Sequence, residues 1–432
     1  MLSGLYLGCV FDRENHNLFY FIGNSDGFPM KQKGCALARM VDVALQPCSA
    51  RKVFKPLMIE GMGELMWACP LCSLERHMSM ENKVIESITK LEKAHCLNDD
   101  EWSLLIDGRY DRQVLFERAN QICEQYYGNK VYIRGLIEFS NYCRNDCLYC
   151  GIRKSNVLAD RYHLTKEQIL SCANEGYGLG FRTFVIQGGE DLSYSTGDIA
   201  EIVRAIKASH PDCAVTLSLG EREMSDYKIW KEAGADRYLL RHETADEAHY
   251  QKLHPDDMSL THRKQCLFDL KALGYQVGCG FMVESPYQKT EHLIQDMQFI
   301  NELQPHMVGI GPFIPHKDTP FAKEKQGSLE RTLTMVALTR IMLGNALIPA
   351  TTALGTIDPR GREKGLLAGA NVVMPNLSPV HVREAYSLYD HKICTGEEAA
   401  ECIVCLSNRV KSVGKEIVID RGDYKPVDEN NR

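Results

Sequence analysis

Cys143, Cys147 and Cys150 fall within one octet, CRNDCLYC. Three close thiolates can hold three corners of a cubane iron-sulfur cluster and leave the fourth iron open to a small molecule. A closed zinc site uses four ligands, usually as two separated pairs, and no histidine adjoins this run. Three buried thiols on a loop are the plain alternative. Their density, directly after an expected strand, argues against it.

Other residue sets carry weaker signals. Gly188, Gly189 and Glu190 in VIQGGED suit a place where backbone approaches a ligand, because glycine has no side chain to obstruct it. Arg241 and Glu243 stand two apart on an expected strand and would share a face, where an arginine fork could clasp a carboxylate and a carboxylate could hold an amino or hydroxyl group. A buried ion pair is the alternative there, and His242 would face away as a structural residue. Cys394, Cys402 and Cys405 in CTGEEAAECIVC form a second thiol set, either an accessory iron-sulfur site or plain thiols. Cys69 and Cys72 in CPLC, with Cys35 and Cys48, could make a four-thiolate site. The spacing of Cys35 and Cys48 is wrong for a tight knuckle, so free thiols or a redox pair stand beside that reading.

These residues need elements to position them. From about residue 130, eight apolar runs rich in Val and Ile (VYIRGLIEFS, TFVIQGGE, AVTLSLG, RYLLRHE, QVGCGFMVE, MVGIGPFI, ALIPATTA and NVVMP) alternate with amphipathic helical stretches. The expected fold is α/β, a complete (β/α)8 TIM barrel, with polar strand ends facing one mouth. Those ends are Gly188 to Glu190, Ser218 and Glu221, Arg241 to Glu243, and Thr351 with Thr352. The expected organisation is a cysteine-rich extension over 1–79, a helical lead-in over 80–128, the barrel over 129–376 and a barrel-closing segment over 377–432.

At 432 residues and 44% hydrophobic composition, the chain can bury one large core plus an appendage. No run approaches the ~18 apolar residues of a membrane span, and MLSGLYLGC lacks the basic flank of a secretory signal. Seventeen cysteines without an export signal fit a reducing, anaerobic cytoplasm rather than a disulfide framework. A net charge of -7 with scattered Lys and Arg gives no reason to expect nucleic acid.

The octet, with Tyr149 just before its third cysteine, resembles the signature of the radical S-adenosylmethionine (SAM) superfamily. That resemblance implies a 4Fe-4S cluster whose open iron chelates SAM, and one-electron cleavage of SAM to methionine and a 5'-deoxyadenosyl radical. The strings YIRGLIEFSNYCRNDCLYCGIRKSN, TLSLGE, GADRYLLRHETA, MVGIGPFIPHKDTP, IPATTALGT and GANVVMPN resemble, more narrowly, the HydE family of FeFe-hydrogenase maturases, from about residue 85 onward. The resemblance implies Cys143, Cys147 and Cys150 as cluster ligands, and Arg241, Glu243 and Arg263 holding SAM, with Gly188, Gly189, Glu190, Ser218, Tyr149 and Tyr386 around it. It also implies Thr216, Thr351, Thr352 and Tyr389 in a cavity for an anionic or organometallic substrate. Cys394, Cys402 and Cys405 match the family's variable, dispensable second-cluster site. The implied substrate is an iron carbonyl cyanide cysteine complex from a companion maturase, attacked at sulfur. Its product would pass to a scaffold GTPase, and the electron would come from a reducing donor.

Two departures stand out: VESPYQKT replaces a Gly-Pro-Gly turn after the fifth strand, and residues 1–79 match nothing in the family. Biotin synthase and methylornithine synthase share the barrel and octet. LLRHETA, where biotin synthase resembles YNHNLDT, speaks against the first. A non-enzymatic iron-sulfur carrier would not need the polar strand ends. Cys402→Ala is expected to leave formation of 5'-deoxyadenosine, followed by chromatography, largely intact; complete loss would make the second thiol set part of turnover.

Overall fold

The computed structural model describes residues 6–12, 17–23, 30–31, 70–396 and 399–426, with side chains from residue 80 onward except those of 399–402. The chain divides into two units, Met1–Ala68 and Cys69–Arg432. In the first, β1 (Tyr6–Asp12), β2 (Asn17–Gly23) and β3 (Met30–Lys31) form an antiparallel sheet in that order, with Tyr6 opposite Gly23 and Asp12 opposite Asn17. Strand residues such as Tyr, Phe, Val and Ile account for it. The proposed site at Cys35, Cys48 and Cys69 lies outside the described residues.

The second unit begins with helices α1 (Pro70–Ala94), α2 (Asp99–Asp107) and α3 (Gln113–Tyr127). Thus the first helix starts ten residues before the expected boundary. Next come β4 (Lys130–Ile133), β5 (Gly135–Ser140), α4 (Lys166–Gly178), β6 (Thr183–Gly188), α5 (Thr196–Ser209), β7 (Ala214–Ser218), α6 (Met224–Glu232) and β8 (Arg237–Leu239). After these follow α7 (Glu247–Leu253), α8 (Leu260–Ala272), β9 (Gln276–Val283), α9 (Thr290–Leu303), β10 (Met307–Pro312) and α10 (Leu329–Met342). The chain ends with α11 (Thr352–Ile357), α12 (Gly361–Leu367), β11 (Val372–Val373), α13 (Val380–Arg383), α14 (Ala399–Lys411) and β12 (Glu416–Val418).

Strands β5 to β10 make one parallel six-stranded sheet in sequence order, a TIM-barrel-like α/β arrangement. Capping boxes start the helices that cross back: Thr165 with Gln168 on α4, and Ser195 with Asp198 on α5, each satisfying two otherwise orphaned N–H groups. The expected seventh and eighth strands are much reduced. ALIPATTA contributes only bridges, Leu347 to Met307 and Pro349 to Val372, and NVVMP only the two residues of β11. β11 and β12 both pair with β4, and Asn376 bridges to Leu136. Regular pairing fails there because the segments turn at once: Thr351 caps α11, so Thr351 and Thr352 stand at a helix start, not on a strand.

Buried arginines hold these short pieces. Arg340, at the end of α10, donates to Gly369 O at 2.8 Å, Gly344 O at 2.7 Å and Asn371 Oδ1 at 3.1 Å, and Asn371 Oδ1 also accepts from Ile348 N. One guanidinium therefore fixes the loops before both reduced strands. Helix α10 is buried over Thr332–Met342, since α1, α2 and α3 pack on it as well as the sheet. Its buried Thr332 and Thr334 satisfy their hydroxyls on carbonyls one turn back.

At the amino-terminal end of the strands, Arg237 donates to Thr183 Oγ1 at 3.0 Å, Asp423 Oδ1 at 2.6 Å and the carbonyls of Arg421 and Gly422. This straps the last described residues across the end opposite the strand tips. Without Arg237, Asp423 keeps Arg421 Nε and Arg421 O keeps Thr183 Oγ1, while Gly422 O loses its bond, so we expect Arg237→Ala to lower stability by about 1–3 kcal/mol in urea unfolding; a change below ~0.5 kcal/mol would show that the strap carries no load.

Candidate active site

The cysteine loop leaves β5 and lies on the tip of β6. Gly189 N donates to Ser140 O at 3.1 Å, Arg144 N to Glu190 O at 3.0 Å, and Glu190 N reaches Cys143 Sγ at 3.4 Å. A Cβ on Gly189 would stand 2.1 Å from Tyr142 O and 2.8 Å from Cys143 Cβ, and one on Gly188 would stand 2.7 Å from the Phe139 ring. Gly189 therefore makes room for the cysteine loop, and Gly188 for the Phe139 ring. Glu190 is likewise committed to the protein: Oε2 accepts from Arg144 Nε and Oε1 from Glu221 N, both at 3.0 Å.

Asp146 and Arg161 fix the far side of the loop. The Arg153 guanidinium, 2.7 Å away, holds the Asp146 carboxyl well below the usual carboxylate range. Arg161 donates to the carbonyls of Asn141, Ile152, Arg153 and Asn156, tying the loop's start to the segment after it.

All three thiols line one cavity of about 350 Å³. Burial pushes each thiol up, Cys150 to about 12, and the negative charge of a neighbouring cysteine adds to the rise for Cys147 and Cys150. Such thiols stay protonated unless a cation takes the proton's place, as a metal centre does. Among the described residues no three ligands converge on a point, as one ion would require. A cluster of several irons instead needs thiols set around a hollow, which this donor set provides.

The same cavity is lined by Tyr149, Gly188, Gly189, Glu190, Ser218, Arg241, Glu243, Arg263, Thr351, Thr352, Tyr386, Tyr389 and Cys394. Thr216 is the exception among the expected cavity residues. It lies two residues before Ser218 on β7, fully buried, with its hydroxyl lacking a partner.

Arg241 and Glu243 lie beyond β8, not on it. The chain turns left-handed at Glu243, φ 65°, while Glu243 N still donates to Gly280 O at 3.0 Å. Arg241 donates one N–H to Phe281 O at 2.7 Å, and its Nε has no partner. Glu243 Oε2 is 3.2 Å from the Arg241 guanidinium, within ion-pair distance, yet no aligned donor hydrogen-bonds it. Two residues of the cavity lining, ion-paired with each other, thus keep one N–H and one carboxylate oxygen without a hydrogen bond. Arg263 is engaged already: Nε donates to Arg241 O at 2.7 Å, and its guanidinium pairs with Glu221. His242 is completely buried against Asp296. Burial lowers the imidazole and raises the carboxyl, so the 3.2 Å contact joins two neutral groups.

Sequence reasoning missed Glu138, Lys392, Asn376 and Arg362, all lining the cavity. Glu138 accepts from Lys392 Nζ at 2.6 Å and Asn376 Nδ2 at 2.7 Å, while Lys392 also donates to Tyr386 O and lies 4.9 Å from the Tyr386 ring centre. A glutamate inside the apolar run LIEFS was the available signal, because a buried charge must be paired. Arg362 reaches Thr352 Oγ1 at 3.4 Å and Cys394 Sγ at 3.6 Å. Cys394 therefore belongs to the main cavity wall, whereas Cys405 is exposed on α14 and the Cys402 side chain lies outside the described residues.

Residues 137–300 match the model of the Radical SAM superfamily. The crystal structure of a methylornithine synthase covers 77% of this chain and 97% of its own, with a TM-score of 0.68 and 26% identity. The 3-methylornithine synthase of Methanosarcina acetivorans is 28% identical over 76% of this chain and 92% of its own length. This is a radical-SAM enzyme, whose cofactors are a 4Fe-4S cluster and SAM. The FeFe-hydrogenase maturase subunit HydE of Thermotoga maritima is 49% identical over 75% of this chain and 92% of its own. The chain belongs to the HydE family.

A neutral histidine backs Tyr149, and a second neutral histidine is buried one turn earlier on the same helix. His254 donates from Nδ1 to Tyr250 O at 3.0 Å and receives Tyr149 Oη at 3.2 Å on Nε2; burial lowers it to about 3. His249 donates to Pro286 O at 3.0 Å, and burial lowers it to about 4, helped by the nearby His292 and Lys252 against the opposing Asp246. A histidine held below its unfolded value of about 6.5 contributes stability that is complete above that pH and drains as pH falls toward the folded value. Urea midpoints should therefore drop between pH 7 and pH 5. His249→Gln should flatten that drop by up to ~1.4 kcal/mol per pH unit, and an unchanged slope would contradict the buried neutral state.

Proposed function

We propose that Cys143, Cys147 and Cys150 hold the SAM-binding cluster, and that Arg241 Nε and Glu243 Oε2 take the carboxylate and ammonium of SAM. The observation carrying this is the pair of unsatisfied, oppositely charged groups beside a three-thiol hollow. An amino acid presents both complementary charges, and buried groups without a hydrogen bond gain most from such a partner. When bound, the cluster supplies the electron that splits the sulfonium. The chain's part is aim and shelter: Arg263 holds Arg241 by its carbonyl, Glu190 holds the cysteine loop, and apolar walls exclude water from a reactive carbon radical.

Gly188, Gly189, Ser218, Tyr149 and Tyr386 complete the SAM wall in this reading. Thr351, Thr352 and Tyr389 form the deeper cavity for an iron carbonyl cyanide cysteine complex supplied by a companion maturase, with Thr216 buried on β7 behind it. The product passes to a scaffold GTPase for the two-iron subcluster of FeFe-hydrogenase, in a reducing, anaerobic cytoplasm. No described helix is long and apolar enough to cross a membrane. Backbone bonds from Leu347 and Val372 to their neighbours support closure of the barrel into eight strands over 129–376. Cys394, Cys402 and Cys405 form the second, dispensable cluster site, with 377–432 closing the barrel.

A methylornithine synthase-like reaction is the second reading, favoured by likeness to such enzymes at 26–28% identity. A maturation assay lacking only this component separates the two. Recovered hydrogenase activity is expected, and failure with active companions present would remove the maturase substrate. Cys147→Ala should abolish 5'-deoxyadenosine formation, and Arg241→Lys should weaken SAM binding about tenfold by titration. Undiminished turnover in Cys147→Ala would sink the cluster assignment.

A further inference from the structure

The turn that carries Arg241 and Glu243 is gripped from behind by side chains of two helices. From α8, Arg263 Nε donates to Arg241 O at 2.7 Å and Lys264 Nζ to Ala245 O at 2.9 Å. From α9 comes Asp296. Its Oδ1 accepts from Ala245 N at 2.6 Å and lies 3.2 Å from His242 Nε2, so one oxygen meets the turn on both sides of Glu243. Gly280 N stands 3.4 Å from His242 Nδ1, which makes Nδ1 the acceptor and leaves the ring hydrogen on Nε2, facing Asp296.

The layer between sheet and helix is a costly place for such a pair. Both side chains are completely buried, the other buried residues of α9 are all apolar, and the His242 ring stands edge-on to Phe299 at 5.0 Å. Asp296 Oδ2 has no hydrogen-bond partner there. Apolar residues of similar volume would fill the same space at no loss of stability, so packing does not account for the pair. The conformation of Glu243 does. Its φ of 65° is one that a non-glycine residue keeps only where its surroundings over-determine it. Glu243 N bonds Gly280 O at 3.0 Å and Met282 N bonds Glu243 O at 3.2 Å, which fixes the residue itself, while Asp296 fixes its flanks. Were φ to relax to the usual negative range, the Glu243 side chain would turn away from Arg241.

We propose that Asp296 and His242 are positioning residues for SAM: they hold the left-handed turn that aims the Glu243 carboxylate into the cavity beside Arg241. Neither lines the cavity, so both act through the turn. The proposal rests on the reading of Arg241 and Glu243 as the clasp of the SAM amino-acid end, and adds what sets the geometry of that clasp.

The test is SAM binding to the cluster-reconstituted full-length enzyme by calorimetric titration, with iron content measured on every variant. Asp296→Ala should weaken SAM binding about tenfold at unchanged iron content. Asp296→Asn keeps an acceptor for both Ala245 N and His242 Nε2, and should stay within about twofold of the unsubstituted enzyme. Glu243→Ala should also weaken SAM about tenfold, and in that background Asp296→Ala should add less than about twofold, because the side chain it aims is gone. General loosening of the core would make the two losses multiply instead. Multiplied losses, no rescue by Asp296→Asn, or undiminished binding in Asp296→Ala would overturn the proposal. Should Asp296→Ala yield no folded enzyme, His242→Phe takes its place, keeping a ring against Phe299 while dropping the bond to Asp296. It should bind SAM about threefold more weakly, and unchanged binding would overturn the proposal in the same way. Undiminished binding in Glu243→Ala would instead bring down the clasp reading, and the positioning role with it.

Discussion

The site depends on backbone packed against backbone where β5 and β6 end. Tyr142 O occupies the space that a side chain on Gly189 would need, 2.1 Å from where its Cβ would stand. That contact presses the cysteine loop onto the strand tip, and Glu190 then holds it through Arg144 while its own N–H meets Cys143 Sγ. Three thiols must stand around a hollow without collapsing into it, which flexible side-chain packing would not ensure. Main-chain contacts do, because they cannot change rotamer.

Around that anchor, satisfied and unsatisfied polar groups are sharply sorted. Arg263, Glu221, Glu190 and Lys392 give their hydrogen bonds to protein partners, although all are charged and close to the cavity. Arg241 Nε and Glu243 Oε2 do not. Since leaving a buried polar group unmet costs about 1–3 kcal/mol, a ligand that met these two would stabilise the protein there. Charge alone would have marked all of them equally.

Much of this was legible in the sequence. The cysteine octet, the six regular strands and the polar tips of β6 and β7 follow from ligand spacing and from Val- and Ile-rich periodicity. The seventh and eighth strands read as full ones because their composition is strand-like, yet Thr351 diverts the chain into a helix after two bridges. Arg241 and Glu243 share the cavity through a left-handed turn that alternation along a strand does not describe. Lys392 was illegible for a different reason: its partner Glu138 is 254 residues away, and no local pattern records such a pairing.

That separation also has a meaning in time. The wall that Lys392, Tyr386 and Cys394 give the cavity is made by residues some 240 positions after Cys150. At about 5–20 residues per second, the ribosome needs roughly 12–50 seconds to produce them once the thiols have emerged. Throughout that interval Glu138 is a charged residue without its lysine, and the three cysteines border an open trough. Iron or oxygen reaching the nascent chain then meets unprotected thiols, so the cell that makes this protein must keep them reduced before the fold itself can shelter them.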